Sequence, residues 1–221
     1  MTVVFIDGPS LKKKFGGSYD EYSKTLPLWI PQLKLMGLKI MIKVKLIDKY
    51  LPRYSFKEYH ETVINGSMEN VYKTAKNFDL SKSNLIKWLF KIRGLPTDRM
   101  NLQGFISDIG FTNIEENIPI ENLIGFWARY KIAPITNPDD FINNNYPARV
   151  KVVWNFYLEE LSSNQIKLST ETRVLCISPF TKLTFGLYWM IIKPFSGVIR
   201  KKMLQIIKQD SETNAETNTE I

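Results

Sequence analysis

Residue types suited to proton transfer are scarce in this chain, which holds one histidine, His60, and one cysteine, Cys176. His60 stands beside Glu61 in FKEYHETVI, an aromatic and β-branched run that reads as a strand. Neighbours along a strand point to opposite faces, so these two form no acid–base dyad without a twist or bulge. Glu171 and Arg173 in STETRV are two residues apart and share a face. Turned inward, that pair is costly unless fully hydrogen-bonded, and a ligand headgroup could partner it. Turned outward, it is a surface ladder worth little. Apolar alternation groups Thr170 and Thr172 with the core, which favours the outward arrangement. His60 and Cys176 have no metal-ligand spacing between them, and Gly16-Gly17 and Gly94 lack the flanks of a phosphate loop or a nucleophile elbow. The residues name no catalytic set, metal or cofactor.

The bulk composition excludes several classes. With 221 residues, 44% hydrophobic and 13% aromatic, the chain can fill a core and line a cavity as well. The charge of +8 is spread along the chain among acids, which is a solvated basic surface rather than a stripe for nucleic acid. RNA binding also needs exposed aromatics between the basic residues, and the aromatics here fall at core positions. Cys176 lies in an apolar run and is expected as a small buried residue. The first residues, MTVVFIDGPSLKKKF, place apolar residues before lysines and lack a small-residue cleavage site, the wrong order for a secretory signal. Lysines interrupt the most apolar stretch, 26 to 47, so a membrane span is not expected and the cytoplasm is.

The periodicity predicts the elements that must position any site. An irregular arm opens the chain. Leu38 to Leu46 alternates as a strand does, while the longer stretch from Leu33 to Tyr50 also fits a basic helix able to lie on a membrane surface. A strand from Phe56 to Ile64 ends at Asn65-Gly66. Ser67 then caps a helix carrying Met68, Val71, Tyr72, Ala75 and Phe78, and a second helix starts at Ser81 or Ser83 and stops before Gly94 and Pro96. Strands follow at Phe105 to Phe111, Leu123 to Lys131, Ala148 to Leu158 and Gln165 to Ile177, the last two joined as a hairpin through EELSSN. Val152, Trp154, Phe156 and Leu158 share one parity, and that face must be covered. The cover is a long helix from 180 to 208, with a kink or break expected at Pro194. The acidic tail DSETNAETNTEI reads as disordered.

Element order and three local phrases resemble the START-like superfamily, also called SRPBCC or polyketide cyclase-like, in an uncharacterised bacterial branch. The phrases are YHETVINGSMENVYKTAKNFDLSKS, VKVVWNFYLEEL with KLSTETRVLCIS, and FGLYWMIIKPFSGVIRKKMLQIIK. The resemblance implies an α+β helix-grip fold, in which a curved antiparallel sheet wraps a long C-terminal helix, with two short helices after the first strand. It covers 48–209, leaving 1–47 as an extension and 210–221 as the disordered tail.

What such a fold implies is an internal cavity that binds a hydrophobic small molecule or lipid, as a carrier or sensor; the alternative is a cyclase or hydrolase-like enzyme using Glu61, His60 or Arg173. The candidate lining is Trp127, Trp154, Phe156, Tyr188 and Trp189, with Tyr59, Glu61, Arg129, Asn155, Thr170, Glu171 and Arg173 as polar or rim positions. The element at 34–49 and the Arg200-Lys201-Lys202 cluster are expected to make peripheral contact with anionic lipid. Neither ligand identity nor oligomeric state follows from the residues.

Overall fold

The structure is a computed structural model that describes residues 44–92 and 94–217. The expected opening arm and the strand-or-helix of 33–43 lie outside the described residues. Within them the chain runs α1 (Leu46–Tyr50), β1 (Phe56–Asn65), α2 (Met68–Lys76), a 3-10 turn (Leu80–Lys82), α3 (Asn84–Ile92), a helical turn (Leu102–Gly104) leading into a π-helix (Phe105–Ile109), β2 (Thr112–Asn117), β3 (Glu121–Ala128), β4 (Ile132–Ala133), α4 (Pro138–Asn143), β5 (Val150–Ser162), β6 (Gln165–Cys176) and α5 (Pro179–Thr217). The strands form one curved antiparallel sheet in the order β1-β6-β5-β3-β2, with β4 on β3, and α5 packs against it. The fold is α+β, as expected.

The hairpin of β5 and β6 fixes the two faces. Its register pairs Val152 with Val174, Trp154 with Thr172, Phe156 with Thr170 and Leu158 with Leu168, so this parity forms the inner face beneath α5. The other parity carries Lys151, Val153, Asn155, Ser169, Glu171 and Arg173, and all of these are buried as well. Helices α1 and α4 supply their cover, packing Ile47 and Phe141 against Val153 and Trp127.

The helix starts follow their capping chemistry. Ser67 Oγ accepts from Asn70 N, and Val71, Tyr72 and Ala75 turn into the core. Ser83 Oγ accepts from Ile86 N in the first turn of α3. At the far end of α5, Ile199, Met203, Ile206 and Ile207 join Ile64, Leu158 and Leu168 in one buried cluster.

Three expectations are corrected. The strand at Phe105–Phe111 is a π-helix, because Asn101 Oδ1 accepts from Gly104 N at 2.8 Å and Gly104 packs where a Cβ would lie 1.8 Å from Arg99 O. Phe105, Ile106 and Ile109 then share a face that the strand pattern had imitated. Helix α5 has no break at Pro194. The carbonyl that loses its partner there belongs to Met190, on the exposed side of the helix where water can satisfy it. The described part of the acidic tail, 210–217, continues α5 through Thr217 rather than lying disordered, and 218–221 lie outside the described residues. It is tied down by Asn70 Nδ2 donating to Ser211 O at 2.8 Å and by Asn65 N donating to Glu212 Oε1 at 3.0 Å. Leu46 and Ile47, placed by the sequence in the extension, are also buried against the sheet.

Lys151 is the exposed-looking residue of β5 that ends up 2% exposed, donating to Phe141 O and lying 4.7 Å from the Phe141 ring. Burial pushes its ammonium down to about 8 from 10.5. Below pH 8 folded and unfolded chains are both protonated and the folded state bears the full cost. Between 8 and 10.5 the unfolded chain binds more protons, so stability climbs with pH, by up to ~3 kcal/mol. Urea denaturation should show this rise in the wild type and no rise in Lys151→Met; equal slopes in both would remove Lys151 as the source.

Candidate functional site

The two halves of α5 meet the sheet differently. The second half, from Ile199 onward, is packed into the core. The first half lies along β1, where Phe185 and Trp189 meet Phe56 with ring centroids 5.5 and 5.8 Å apart. Between that half, the inner face of β3, β5 and β6, and the segment from Leu80 to Phe111 lies a cavity of about 510 Å³. This is the size of a small-molecule site. Its wall is aromatic and aliphatic: Phe105, Phe111, Phe126, Val152, Trp154 and Val174 from one side, with Tyr188, Trp189 and Ile192 of α5 on the other.

Polar groups gather at one end. Arg200 follows Ser196 by one helical turn, both line the cavity, and the guanidinium Nη2 donates to Thr172 Oγ1 at 2.9 Å. Its carbon lies 3.9 Å from the centroid of the Trp154 ring, and Trp154 Nε1 donates to Thr170 Oγ1 at 2.6 Å. The site is a cation stacked on an aromatic floor inside an apolar room. In the same row of the sheet, Glu58 is the register partner of Thr172. Glu58 is buried, its Oε1 lies 2.9 Å from His60 Nε2, and its Oε2 has no hydrogen-bond partner. Gly197 closes over this pair, and a Cβ there would lie 3.4 Å from Glu58 Oε1.

Trp154, Tyr188 and Trp189 of the sequence-derived lining are in the wall. Phe156 and Thr170 stand on the same face, with Phe156 in the core cluster where its ring meets Phe78 at 5.8 Å. Trp127 is corrected to the outer face: it pairs with Lys151, stacks on Tyr146 at 4.5 Å and donates its Nε1 to Pro134 O. Phe126, one position earlier, takes the cavity place. Tyr59 and Glu61 are exposed on the far side of β1 and bond to each other. Arg129 is exposed, 5.5 Å from the Tyr130 ring.

Glu171 and Arg173 point outward, yet they are buried beneath α1. Arg173 donates to Glu171 at 2.6 Å, to Asp48 at 2.7 Å and to the carbonyls of Ile47 and Leu51 at 3.3 and 3.0 Å. Burial opposes its charge, but Glu171 and Asp48 more than offset that and raise the guanidinium above its ordinary value. At the other end of α1, Glu121 accepts from Leu46 N at 2.7 Å and from Ile47 N at 3.2 Å, its carboxyl pushed up by burial. Asn155 completes this layer by donating to Glu121 at 2.6 Å. These residues hold the fold. His60, Glu61 and Arg173 therefore occupy three separate places and form no joint proton-transfer set.

Sequence reasoning missed Arg200 as a cavity residue and Glu58 as the partner of His60. The available signals were Ser196, Arg200 and Met203 at helical spacing, and Glu58 two residues from His60 on one strand face. Among the described residues no group of three or more metal-binding side chains occurs, and no helix is long and apolar enough to cross a membrane.

No family model matches this chain, and no curated protein does. Solved structures with a similar arrangement include a conserved protein of Geobacillus kaustophilus, at 7% identity over 73% of this chain and 96% of that one, with a TM-score of 0.36. An aromatase/cyclase from a Streptomyces species matches at 8% identity over 71% of this chain and 93% of its own, with a TM-score of 0.30. The di-domain aromatase/cyclase BexL matches at 11% identity over 71% of this chain, with a TM-score of 0.29; this chain spans 46% of its length.

Replacing Arg173 by Met removes the centre of a largely buried ion cluster, takes the donor from the Ile47 and Leu51 carbonyls and leaves Glu171 with Lys57 alone, 3.1 Å away. The expected loss of stability is about 3–5 kcal/mol by chemical denaturation, with probe binding in the cavity unchanged once the protein is folded. A loss below about 1 kcal/mol would show that α1 does not depend on this clamp.

Proposed function

We propose that the chain is a carrier or sensor that holds one amphipathic small molecule or lipid, its apolar part in the cavity and its polar head at Arg200. The observation that carries this reading is the Arg200 guanidinium set, beside Ser196 and Thr172, at one end of a largely apolar space of about 510 Å³. Burial of the ligand's apolar area at roughly 25 cal/mol per Å² supplies affinity, less the cost of immobilisation. A guanidinium presents a planar fork of donors, the geometry that matches a carboxylate or phosphate. We infer from the element order and local phrases that the chain is START-like, with the helix-grip use of its cavity.

A cavity enzyme is the second reading, and the Glu58–His60 pair favours it. The orphan Oε2 of Glu58 is a buried acceptor adjoining the polar end. Turnover of a bound compound by the wild type and not by His60→Gln would select this reading over carriage.

Native mass spectrometry of the purified full chain, followed by extraction, should release an apolar molecule with an acidic head. In solution an anionic apolar dye should bind at one site per chain. Ile192→Trp, which fills the cavity, should weaken it at least tenfold. Arg200→Met should weaken the anionic dye about tenfold, as loss of a charge-assisted hydrogen bond does, and leave a neutral dye of similar shape nearly unaffected. Wild-type affinity in both variants would sink the carrier reading.

A further inference from the structure

The outer face of α5 carries a surface that has no partner among the described residues and that the cavity does not explain. Phe180, Leu183, Leu187, Met190 and Ile191 are 61% to 71% exposed. Their spacing puts them on one stripe, continued by Val198. The stripe spans about 27 Å at 1.5 Å per residue. Beyond Val198 the same line of the helix turns polar, with Lys201, Gln205 and Lys208. Exposed apolar side chains therefore coincide with the half of α5 that roofs the cavity and stop where the helix enters the core. Across the cavity, α3 puts Phe90 into the wall and exposes Leu85, Trp88 and Ile92 on its other side. Scattered exposed apolar residues need no explanation, but a continuous stripe this long does.

We propose that this stripe is a docking surface for an anionic lipid membrane, on which α5 lies in the interfacial plane. Charge selects this occupant. From Pro179 to Gln209 the chain has Lys182, Lys193, Arg200, Lys201, Lys202 and Lys208 and no Asp or Glu, and α3 carries Lys87 and Lys91 with no acid. A second copy of the same face would bring the lysines of this set together, whereas acidic headgroups neutralise them while the stripe enters the acyl boundary. Of the basic residues expected to make this contact, at 34–49 and Arg200 to Lys202, those at 34–43 lie outside the described residues and two others are engaged elsewhere. Arg200 is turned inward onto Thr172 and Trp154, and Lys49 is engaged with Glu115 at 2.5 Å. The proposal stands apart from ligand carriage, since it rests on the outside of the helix.

The test is flotation of the full-length protein with phosphatidylcholine vesicles, alone and with phosphatidylserine added. The expected result is binding only to the acidic vesicles, weakening as salt rises. The double variant Leu187→Glu, Ile191→Glu changes two exposed residues, so the fold and dye binding should persist while vesicle binding falls at least tenfold. Lys193→Glu with Lys201→Glu should reduce it by about fivefold per charge. Undiminished vesicle binding by the double variant, or no wild-type binding to either vesicle, overturns the proposal. So does a wild-type dimer that Leu187→Glu converts to monomer, which would assign the stripe to a second copy. Loss of dye binding in Ile192→Trp with vesicle binding intact separates the fate of the cavity from that of the surface.

Discussion

Both faces of the sheet are buried through β5 and β6, so both need covering, and the rest of the structure follows from how unequally the chain provides the two covers. The outer face is sealed over the middle of β5 and β6. Its cover includes α1, a helix of five residues that could not form alone, because a single turn costs more conformational entropy than one hydrogen bond returns. The sheet supplies what the helix lacks. Glu121 takes the N–H groups at its start and Arg173 takes carbonyls at its end, matching the sign of each terminus. Lys151, Glu171 and Arg173 are carried into the interior by this arrangement, and each has a partner there. The inner face is sealed by the far half of α5 and left open beneath the near half.

How much of this could be read from the residues depends on how local each signal is. The alternation of Val152, Trp154, Phe156 and Leu158 has a period of two and fixes its own face, so the hairpin and its inner surface were legible. Ser67 and the spacing of Val71, Tyr72 and Ala75 made α2 legible for the same reason. Phe105 to Phe111 misled because four apolar positions in seven suit either a strand or a tight helix, and the decision lay in the contact of Gly104 with Arg99. Pro194 misled because its effect depends on where the freed carbonyl of Met190 faces, which is a tertiary fact. Phe126 and Trp127 are adjacent aromatics of opposite parity, and composition alone could not choose which one faces the cavity.

The polar candidates show the same division. Parity turned Glu171 and Arg173 outward, which the structure bears out, but the inference that outward means solvent failed because α1 comes from a part of the chain assigned to an extension. Arg200 was read by its neighbours Lys201 and Lys202 as part of a charge cluster. On a helix, however, adjacent residues are a hundred degrees apart, so Arg200 aligns with Ser196 and Met203 on the cavity side while Lys201 faces away. The charge of a run says less about a side chain's destination than its angular position does.

Helix α5 therefore has two characters along one axis. From Ile199 onward it is amphipathic in the ordinary way, with Met203, Ile206 and Ile207 buried and Lys201 and Gln205 outside. Before Val198 it carries two apolar sides, with Phe185 and Trp189 turned to the sheet and Leu183, Leu187 and Ile191 turned away, and Lys182 and Lys193 between them. A helix with two apolar sides needs apolar surroundings on both, and this half has the cavity on one side and, among the described residues, no cover on the other. Tyr188 belongs to both surfaces, lining the cavity while about half exposed. The room for a guest and the apolar exterior are thus two consequences of one segment of sequence. A guest entering beside Tyr188 would pass from one apolar surface to another with little of its own apolar area exposed to water on the way.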